Sequence, residues 1–501
     1  MRSKRLVLAL VLAALLSLSL PAWAADLIIL HNNDVHSRLE SHLPEGAEEV
    51  QGGRVRLATI VDEIRALFGE EKVILLDAGD AMHGMNIDNL FGGLPTIEVM
   101  NAMGYTAFVP GNHEFNYGQE VLAERVQDAN FPVLAANVTR ADGSLFTGAS
   151  ALVQEFNGIK VGIIGLAAEE TPIVTHPKNV EGLVFHEPIA IAKQVAAKLR
   201  PQVDVLIALS HLGYSVDVEL AKAVPELDVI VGGHSHTELA VPQEVNGVII
   251  VQAHEYANNL GFLYLEVEDG KIEDYNGFLI PVTADVPEQP EVRAIIDYWN
   301  EEVQQRLSAV VGRSDVSWDG ERANVRTSET NLGNLVADVI RAAVGSDIAV
   351  TNGGGIRASI HPGEIRVADI YNVLPFDNTL VVVEMLGMDI IEALEHSVRV
   401  YPEQNGGFLQ VSGLTFEVDP NALPGGRVVN VKVNGEKLSM GKYYTVATND
   451  FLAAGGDGYE TFNNAKLVAE TGIMLRDVVV DYFLANPTVT EPEGGRIIIL
   501  E

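Results

Sequence analysis

The 501-residue chain contains no cysteine. That absence excludes disulfides, thiolate metal ligation and a lipid-modified cysteine, so any metal site must be built from oxygen and nitrogen donors. Basic residues are also scarce: 33 Lys and Arg stand against 69 Asp and Glu, a formal charge of −36. Such a surface repels nucleic-acid backbones, and no polymeric nucleic acid is expected as a partner. A small anionic substrate would need positive charge concentrated locally, from metals and a few arginines. Long apolar runs are lacking except at the start, where Leu6 to Leu20 follows Arg2, Lys4 and Arg5 and precedes Ala22-Trp23-Ala24. A positive, an apolar and a small-x-small segment in that order make a cleaved secretory signal. Residues 1–24 are therefore expected to be removed, leaving a soluble periplasmic or extracellular protein with no stable membrane anchor. The sequence does not fix an oligomeric state.

What the chain does have, in its first half, is five short polar segments that each follow an apolar, β-rich run. Asp34-Val35-His36 follows Leu27 to Leu30, Gly79-Asp80 follows Val73 to Leu76, and Gly111-Asn112-His113-Glu114 follows Ala107 to Val109. Ser210-His211 follows Val205 to Leu209, and Gly232-Gly233-His234-Ser235-His236 follows Val229 to Val231. The repetition places all five at the carboxyl ends of neighbouring buried strands, where α/β sheets gather ligands. Carboxylate, imidazole and amide oxygen suit borderline divalent metals, and one carboxylate can bridge two ions about 3.5–4 Å apart. Asp80 is the natural bridge. Asp34 and His36, two apart, share a face at one strand end, and His234 and His236 repeat that geometry. Each piece alone has an ordinary reading as a packed histidine or a turn; their joint occurrence points to a two-metal phosphoesterase site. The other eight histidines take the ordinary reading, with only His83 close enough to Asp80 to support the site.

The length exceeds one ordinary core and predicts two domains. From Asp26 to about Val282 strands alternate with helices at Arg54 to Phe68, Pro95 to Met103, Gln119 to Ala129 and Pro188 to Leu199. Leu263 to Val267 and Lys271 to Tyr275 read as a hairpin turning at Asp269-Gly270. A helix from Thr330 to Val344 stops at Gly345 and reads as the connection between domains. The expected architecture is α/β: a layered metallophosphoesterase α/β domain over 25–325, an interdomain helix over 326–345, and a second α/β substrate-binding domain over 346–501.

With those motifs in place, the chain resembles the 5′-nucleotidase family, in which a calcineurin-like metallophosphoesterase domain is joined by a helix to a substrate-binding domain. The likeness rests on Leu30-His31-Asn32-Asn33-Asp34-Val35-His36-Ser37-Arg38-Leu39-Glu40, Asn352-Gly353-Gly354-Gly355-Ile356-Arg357 and Gly455-Gly456-Asp457-Gly458, and spans nearly the whole mature chain. It implies two divalent ions (Zn, Mn or Co), one among Asp34, His36, Asp80 and His236 and the other among Asp80, Asn112, His211 and His234. His113 matches the family's catalytic histidine, Asn112 a ligand that also meets the phosphate, and Arg357 a contact to phosphate or ribose. Phe408 and Phe451 match two aromatics that sandwich the base, and Asp457 a ribose acceptor. Both phenylalanines neighbour glycines, which predicts exposed loop positions where two faces about 7 Å apart could stack any base.

The main departure is Asn116, where Asp is usual in family members that act as 5′-nucleotidases; an amide can orient His113 but brings no charge. Pro375-Phe376-Asp377 also departs, with Asp377 where Gly is usual. The expected activity is release of nucleoside and phosphate from small nucleotides, with closure about the Thr330 to Val344 region assembling the site. A 2′,3′-cyclic-nucleotide phosphodiesterase with 3′-nucleotidase activity, or a nucleotide-sugar hydrolase, is the alternative on the same scaffold. A non-catalytic nucleotide-binding protein fits less well, because the ligand set is complete.

Overall fold

The computed structural model describes residues 25–43, 49–175, 177–486, 489 and 491–500, so the expected signal segment and His176 lie outside the described residues. Two compact units divide between Glu302 and Val303.

The first unit is built on two mixed sheets. In one, Lys271–Pro281, Asn259–Glu268, Ala25–Asn32, Val73–Asp77 and Ala107–Phe108 lie in that order. In the other the order is Gln243–Val245, Val248–Val251, Val229–Gly232, Val205–Ser210, Ile159–Leu166 and Ala151–Phe156. The alternation of side chains along each strand decides the layers. Leu27, Ile29, Ile74 and Leu76 of the first sheet share one buried cluster with Val161, Ile163, Val205, Ile207, Leu209 and Val229 of the second. The alternate residues Ile164, Leu166, Leu206, Ala208 and Ile230 face the other way, onto Ala192 and Ala196 of the helix Pro188–Leu199 and Leu220 and Ala221 of Tyr214–Ala223. Burial on both faces is why these strands read as unbroken apolar runs. The central strands Ala25–Asn32 and Val73–Asp77 pair in parallel, as do Val205–Ser210 and Val229–Gly232, so their carboxyl ends emerge together. The hairpin turns where expected, with φ of 50° at Asp269 and 73° at Gly270, the sign that a two-residue hairpin turn needs at both central positions.

In the second unit, Leu409–Ser412, Ile348–Asn352, Tyr443–Asn449, Thr379–Leu386 and Lys466–Met474 form a five-stranded sheet. The helix Asn331–Val344 starts at Thr330, whose hydroxyl accepts the Gly333 N–H at 3.0 Å, and ends on Gly345 in the left-handed conformation. Its apolar face, Leu332, Leu335, Val336, Val339 and Ile340, buries against Ala349, Ala447 and the helix Leu475–Ala485. The sequence reading of this helix as a connector therefore needs correcting: its stripe makes it part of the second unit's core, and the division falls at 302/303 rather than 325.

Candidate active site

Three sets of side chains in the first unit bring potential ligand atoms within 4.8 Å of one another: Asp34, His36 and His236; His36, Asp80 and His113; and Asp80, His211 and His234. Asp80 belongs to two of them. Its Oδ2 lies 3.2 Å from His211 Nε2 and 3.9 Å from His36 Nε2, while its Oδ1 accepts the His113 N–H at 2.9 Å. Asp34 Oδ2 accepts from Asn33 Nδ2 at 2.6 Å and from the His234 N–H at 2.9 Å, leaving Oδ1 beside His236 Nε2 at 3.2 Å.

The backbone explains why glycines punctuate the motifs. Asp34, His36, Asp80, His234 and His236 all have φ between 50° and 72°, a region costly for residues with a side chain and common where function requires strain. A Cβ on Gly79 would come 2.4 Å from His211 Nδ1, and one on Gly111 would come 2.3 Å from Asp80 Oδ1. Only glycine lets these loops approach so closely.

The donor set fits metal ions. Asp34 Oδ1, Asn112 Oδ1 and His211 Nε2 are buried without a hydrogen-bond partner, a costly arrangement unless another group satisfies them. His211 Nδ1 is engaged by the Ala78 carbonyl at 2.6 Å and His36 Nδ1 by the His83 carbonyl at 3.3 Å, which directs each Nε2 lone pair inward, as metal-ligating imidazoles are held. Burial by itself would lower the His211 pKa, but Asp80 and the Ala78 carbonyl hold it up to about 10; burial likewise opposes the Asp80 carboxylate, yet His211 and His113 keep it well below the usual range. The pocket is built for positive charge.

His113 stands at the edge of this cluster, its ring 4.9 Å from that of His36 and stacked on His83 at 5.4 Å and 12°. His83 thus does lie against the site, as its place three residues after Asp80 suggested. Asn116 Nδ2 is 2.6 Å from His113 Nδ1, so the amide contacts the ring at the position where the sequence places an orienting group.

In the second unit, the loops containing the remaining candidates meet. Gly354 N–H donates to the Gly406 carbonyl at 2.7 Å, Gly353 N–H to the Phe408 carbonyl at 2.7 Å, and Asn352 Nδ2 to Asp457 Oδ2 at 2.8 Å. Asp457 has φ of 55°, and burial raises its pKa against the opposing bond from Asn352. The Arg357 guanidinium lies over the Phe376 ring at 6.0 Å. The expectation that Phe408 and Phe451 stand on exposed loops is corrected. They are 1% and 8% exposed and belong to the unit's core with Val350, Leu409 and Tyr459, because Phe408 opens the buried strand Leu409–Ser412 and the Phe451 ring lies on Gly456. Asp377 also gains an account: it pairs with Arg476, which reaches the Pro375 and Phe376 carbonyls as well, so this carboxylate helps hold its turn.

Family models match residues 27–238 as calcineurin-like phosphoesterase and residues 310–464 as 5′-nucleotidase, C-terminal domain. The 5′-nucleotidase of Bos taurus is 34% identical over 97% of this chain and 93% of its own length. The chain belongs to the 5′-nucleotidase family. A trifunctional nucleotide phosphoesterase of Bacillus subtilis is also 34% identical, over 94% of this chain, although the chain spans about a third of that relative's length (34%). Among solved structures, a 5′-nucleotidase precursor from Thermus thermophilus matches with a TM-score of 0.86 and 34% identity, covering 95% of this chain and 99% of that one. As a member of the family, the protein is a metal-dependent phosphoester hydrolase, and calcineurin-like phosphoesterases use a dimetal centre.

For this 5′-nucleotidase family member, the sequence named Glu114 within its motif without giving it a role, and missed Glu170 and Glu255 among the carboxylates that brace the candidate ligands. Glu114 Oε2 accepts from the Asp80 and Gly111 N–H groups at 3.0 and 2.6 Å and Oε1 from that of Met82 at 2.9 Å, clamping the Asp80 loop to the Asn112 loop. Glu170 Oε1 is 2.9 Å from His234 Nε2, and Glu255 contacts His236 Nδ1. Glu170 and Glu255 follow the strands Ile159–Leu166 and Val248–Val251 by only a few residues, the same signal that exposed the ligands. No helix among the described residues is long and apolar enough to cross a membrane.

Proposed function

We infer that this protein removes phosphate from small nucleotides outside the cytoplasm, releasing nucleoside and inorganic phosphate. The observation that carries the reading is the set of buried, unpartnered ligand atoms of Asp34, Asn112 and His211 gathered around Asp80, beside His113. Asp34, His36, Asp80 and His236 would hold one ion and Asp80, Asn112, His211 and His234 the other, with Zn²⁺, Mn²⁺ or Co²⁺ suited to the donors. Divalent ions there would neutralise phosphate charge and acidify an attacking water toward neutral pH. The chain's own part is positional and protic. Asn112 steadies a non-bridging oxygen, and His113 stabilises the departing ribose oxygen by donating a hydrogen bond to it. Asn116 holds the His113 ring from its Nδ1 side. In the second unit, Arg357 and Asp457 would meet phosphate and ribose, and Phe408 and Phe451, packed in the core, would stack on the base only where a ring face opens to it. The domains proposed from sequence, a catalytic one and a nucleotide-binding one, retain these separate tasks. Export follows from the positive, apolar and small-x-small order at the start of the chain, and N-terminal sequencing of the purified protein at Ala25 would support it.

One observation favours a second reading. Asn116 beside His113 stands where the family's 5′-nucleotidases usually carry a carboxylate, and that departure from the resemblance leaves 2′,3′-cyclic nucleotides, 3′-nucleotides or nucleotide sugars as the alternative substrates. A panel of nucleoside 5′-mono-, di- and triphosphates, a 2′,3′-cyclic nucleotide and a nucleotide sugar, each assayed with and without Mn²⁺, Zn²⁺ and Co²⁺, decides between them. Retention of aryl phosphatase activity with no turnover of any nucleotide would overturn both.

A further inference from the structure

The Asn116 side chain touches more than His113. Its Oδ1 accepts from Thr175 Oγ1 at 2.8 Å, and its backbone carbonyl accepts from Asn179 Nδ2 at 3.0 Å. Thr175 is 1% exposed and follows the short helix Thr171–Val174, to which its N–H bonds through the Thr171 carbonyl at 3.0 Å. Both ends of Asn116 are therefore tied to a segment 59 and 63 residues further along the chain.

A carboxamide needs such a tie where a carboxylate does not. The two oxygens of a carboxylate are equivalent, so either rotamer presents an acceptor to the imidazole. The two ends of a carboxamide differ: one donates and the other accepts. If the amide turns over, the group facing His113 Nδ1 changes from donor to acceptor, and the ring proton must move to the other nitrogen. With the Thr175 hydroxyl on Oδ1, Nδ2 faces His113 Nδ1 at 2.6 Å; Nδ1 then accepts and the ring proton sits on Nε2. In that arrangement the Nε2–H can donate a hydrogen bond to a leaving oxygen.

We propose that Thr175 is a positioning residue for His113: through its hydroxyl it fixes the Asn116 carboxamide, and so fixes the orientation of the imidazole beside the leaving oxygen. The proposal rests on the reading of His113 as the group at the leaving oxygen. It also explains how this chain functions with Asn at a position where a carboxylate would orient the ring unaided.

The test compares Thr175→Val, which keeps the shape and removes the hydroxyl, with Thr175→Ser, which keeps the hydroxyl, each in the Asn116 and Asn116→Asp backgrounds. Turnover is measured for whichever nucleotide the enzyme hydrolyses and for an aryl phosphate with a good leaving group. In the Asn116 background, Thr175→Val should lower kcat on the nucleotide about tenfold with KM little changed, as expected for one lost neutral hydrogen bond. The aryl ester, whose leaving oxygen needs less stabilisation, should lose less than about threefold, and Thr175→Ser should restore both. In the Asn116→Asp background the effect of Thr175→Val should shrink to about twofold, a non-additivity that a merely structural threonine would not produce. Equal loss on both substrates, failure of serine to rescue, an undiminished effect in the Asn116→Asp background, or no effect at all would each overturn the proposal. A fully active His113→Ala enzyme would instead overturn the reading of His113, whereas an inactive His113→Ala beside an unimpaired Thr175→Val overturns this proposal alone.

Discussion

His36 Nε2 and His236 Nε2 face each other at 3.3 Å, although 200 residues separate them in the chain. The outer nitrogen of each ring is taken up by another group, the His83 carbonyl for His36 and the Glu255 carboxylate for His236. Two lone pairs so directed repel unless a cation lies between them, and the same reasoning applies to the unpartnered atoms of Asp34, Asn112 and His211.

Metal removal should therefore cost both activity and stability. Chelation should abolish turnover and lower the thermal midpoint; restoring metal at a hundredfold excess over Kd stabilises by about 2.7 kcal/mol. Asp80→Ala should lose both ions, because Asp80 faces both ligand sets. Elemental analysis and thermal scans of the wild type and variant check this, and a metal-free preparation with full activity would refute it.

Asn116→Asp should change the pH dependence. A carboxylate 2.6 Å from His113 Nδ1 favours the imidazolium, which the present amide does not. The limb of kcat/KM that reports His113 should then move to higher pH by about one unit. Superimposable profiles for the two proteins would show that the side chain is not coupled to His113.

The two buried phenylalanines call for conservative variants, since alanine at either would open a core cavity costing about 3–5 kcal/mol. Phe408→Leu and Phe451→Leu keep most of the volume and lose the aromatic face. Each should reduce kcat/KM for a nucleotide about 5- to 150-fold and leave a small aryl phosphate nearly unaffected. Parallel losses on both substrates would assign these rings to the core alone.

Stability should fall in mild acid because of His31. Burial lowers its pKa from 6.5 to about 3, and its ring covers Gly261, where a Cβ would come within 2.1 Å. In the unfolded chain the ring takes up a proton below about pH 6.5, whereas in the folded protein it does so only near pH 3. The unfolded state thus binds more protons in this window, and stability present above about pH 6.5 is lost as pH falls. At pH 5 the loss is about 2 kcal/mol. Urea unfolding of wild type and His31→Leu at pH 7 and pH 5 checks it: the variant should lose less stability between the two.

Much of the site was legible because its signals are local. A buried parallel strand needs an unbroken apolar run, and the loop at its end needs glycine where backbones approach, so Asp34, His36, Asp80, Asn112, His113, His211, His234 and His236 could be placed at strand ends, as candidates, from the chain alone. The stop of the helix Asn331–Val344 at Gly345 and the turn at Asp269-Gly270 were legible for the same reason: Gly345 and Gly270 act within a few residues of themselves.

Contacts made at long range were decided only by the tertiary structure. The sequence displays an amphipathic stripe on 331–344, but not that Ala349, Ala447 and Leu475–Ala485 cover it, and so the helix read as a connector when it is core. Glycines beside Phe408 and Phe451 marked turns, yet whether the rings faced water depended on sheet packing that brings Val350 and Tyr459 around them. Glu170, Glu255 and Thr175 carry no signature of their own, since a carboxylate or hydroxyl gains its meaning from the imidazole or amide it meets. Which chemistry was available, and at which strand ends it would gather, could be read from the chain, because backbone conformation and burial pattern are written residue by residue. Folding alone decided which of those groups are braced, and by what, because hydrogen bonds between distant segments depend on where the sheets bring them.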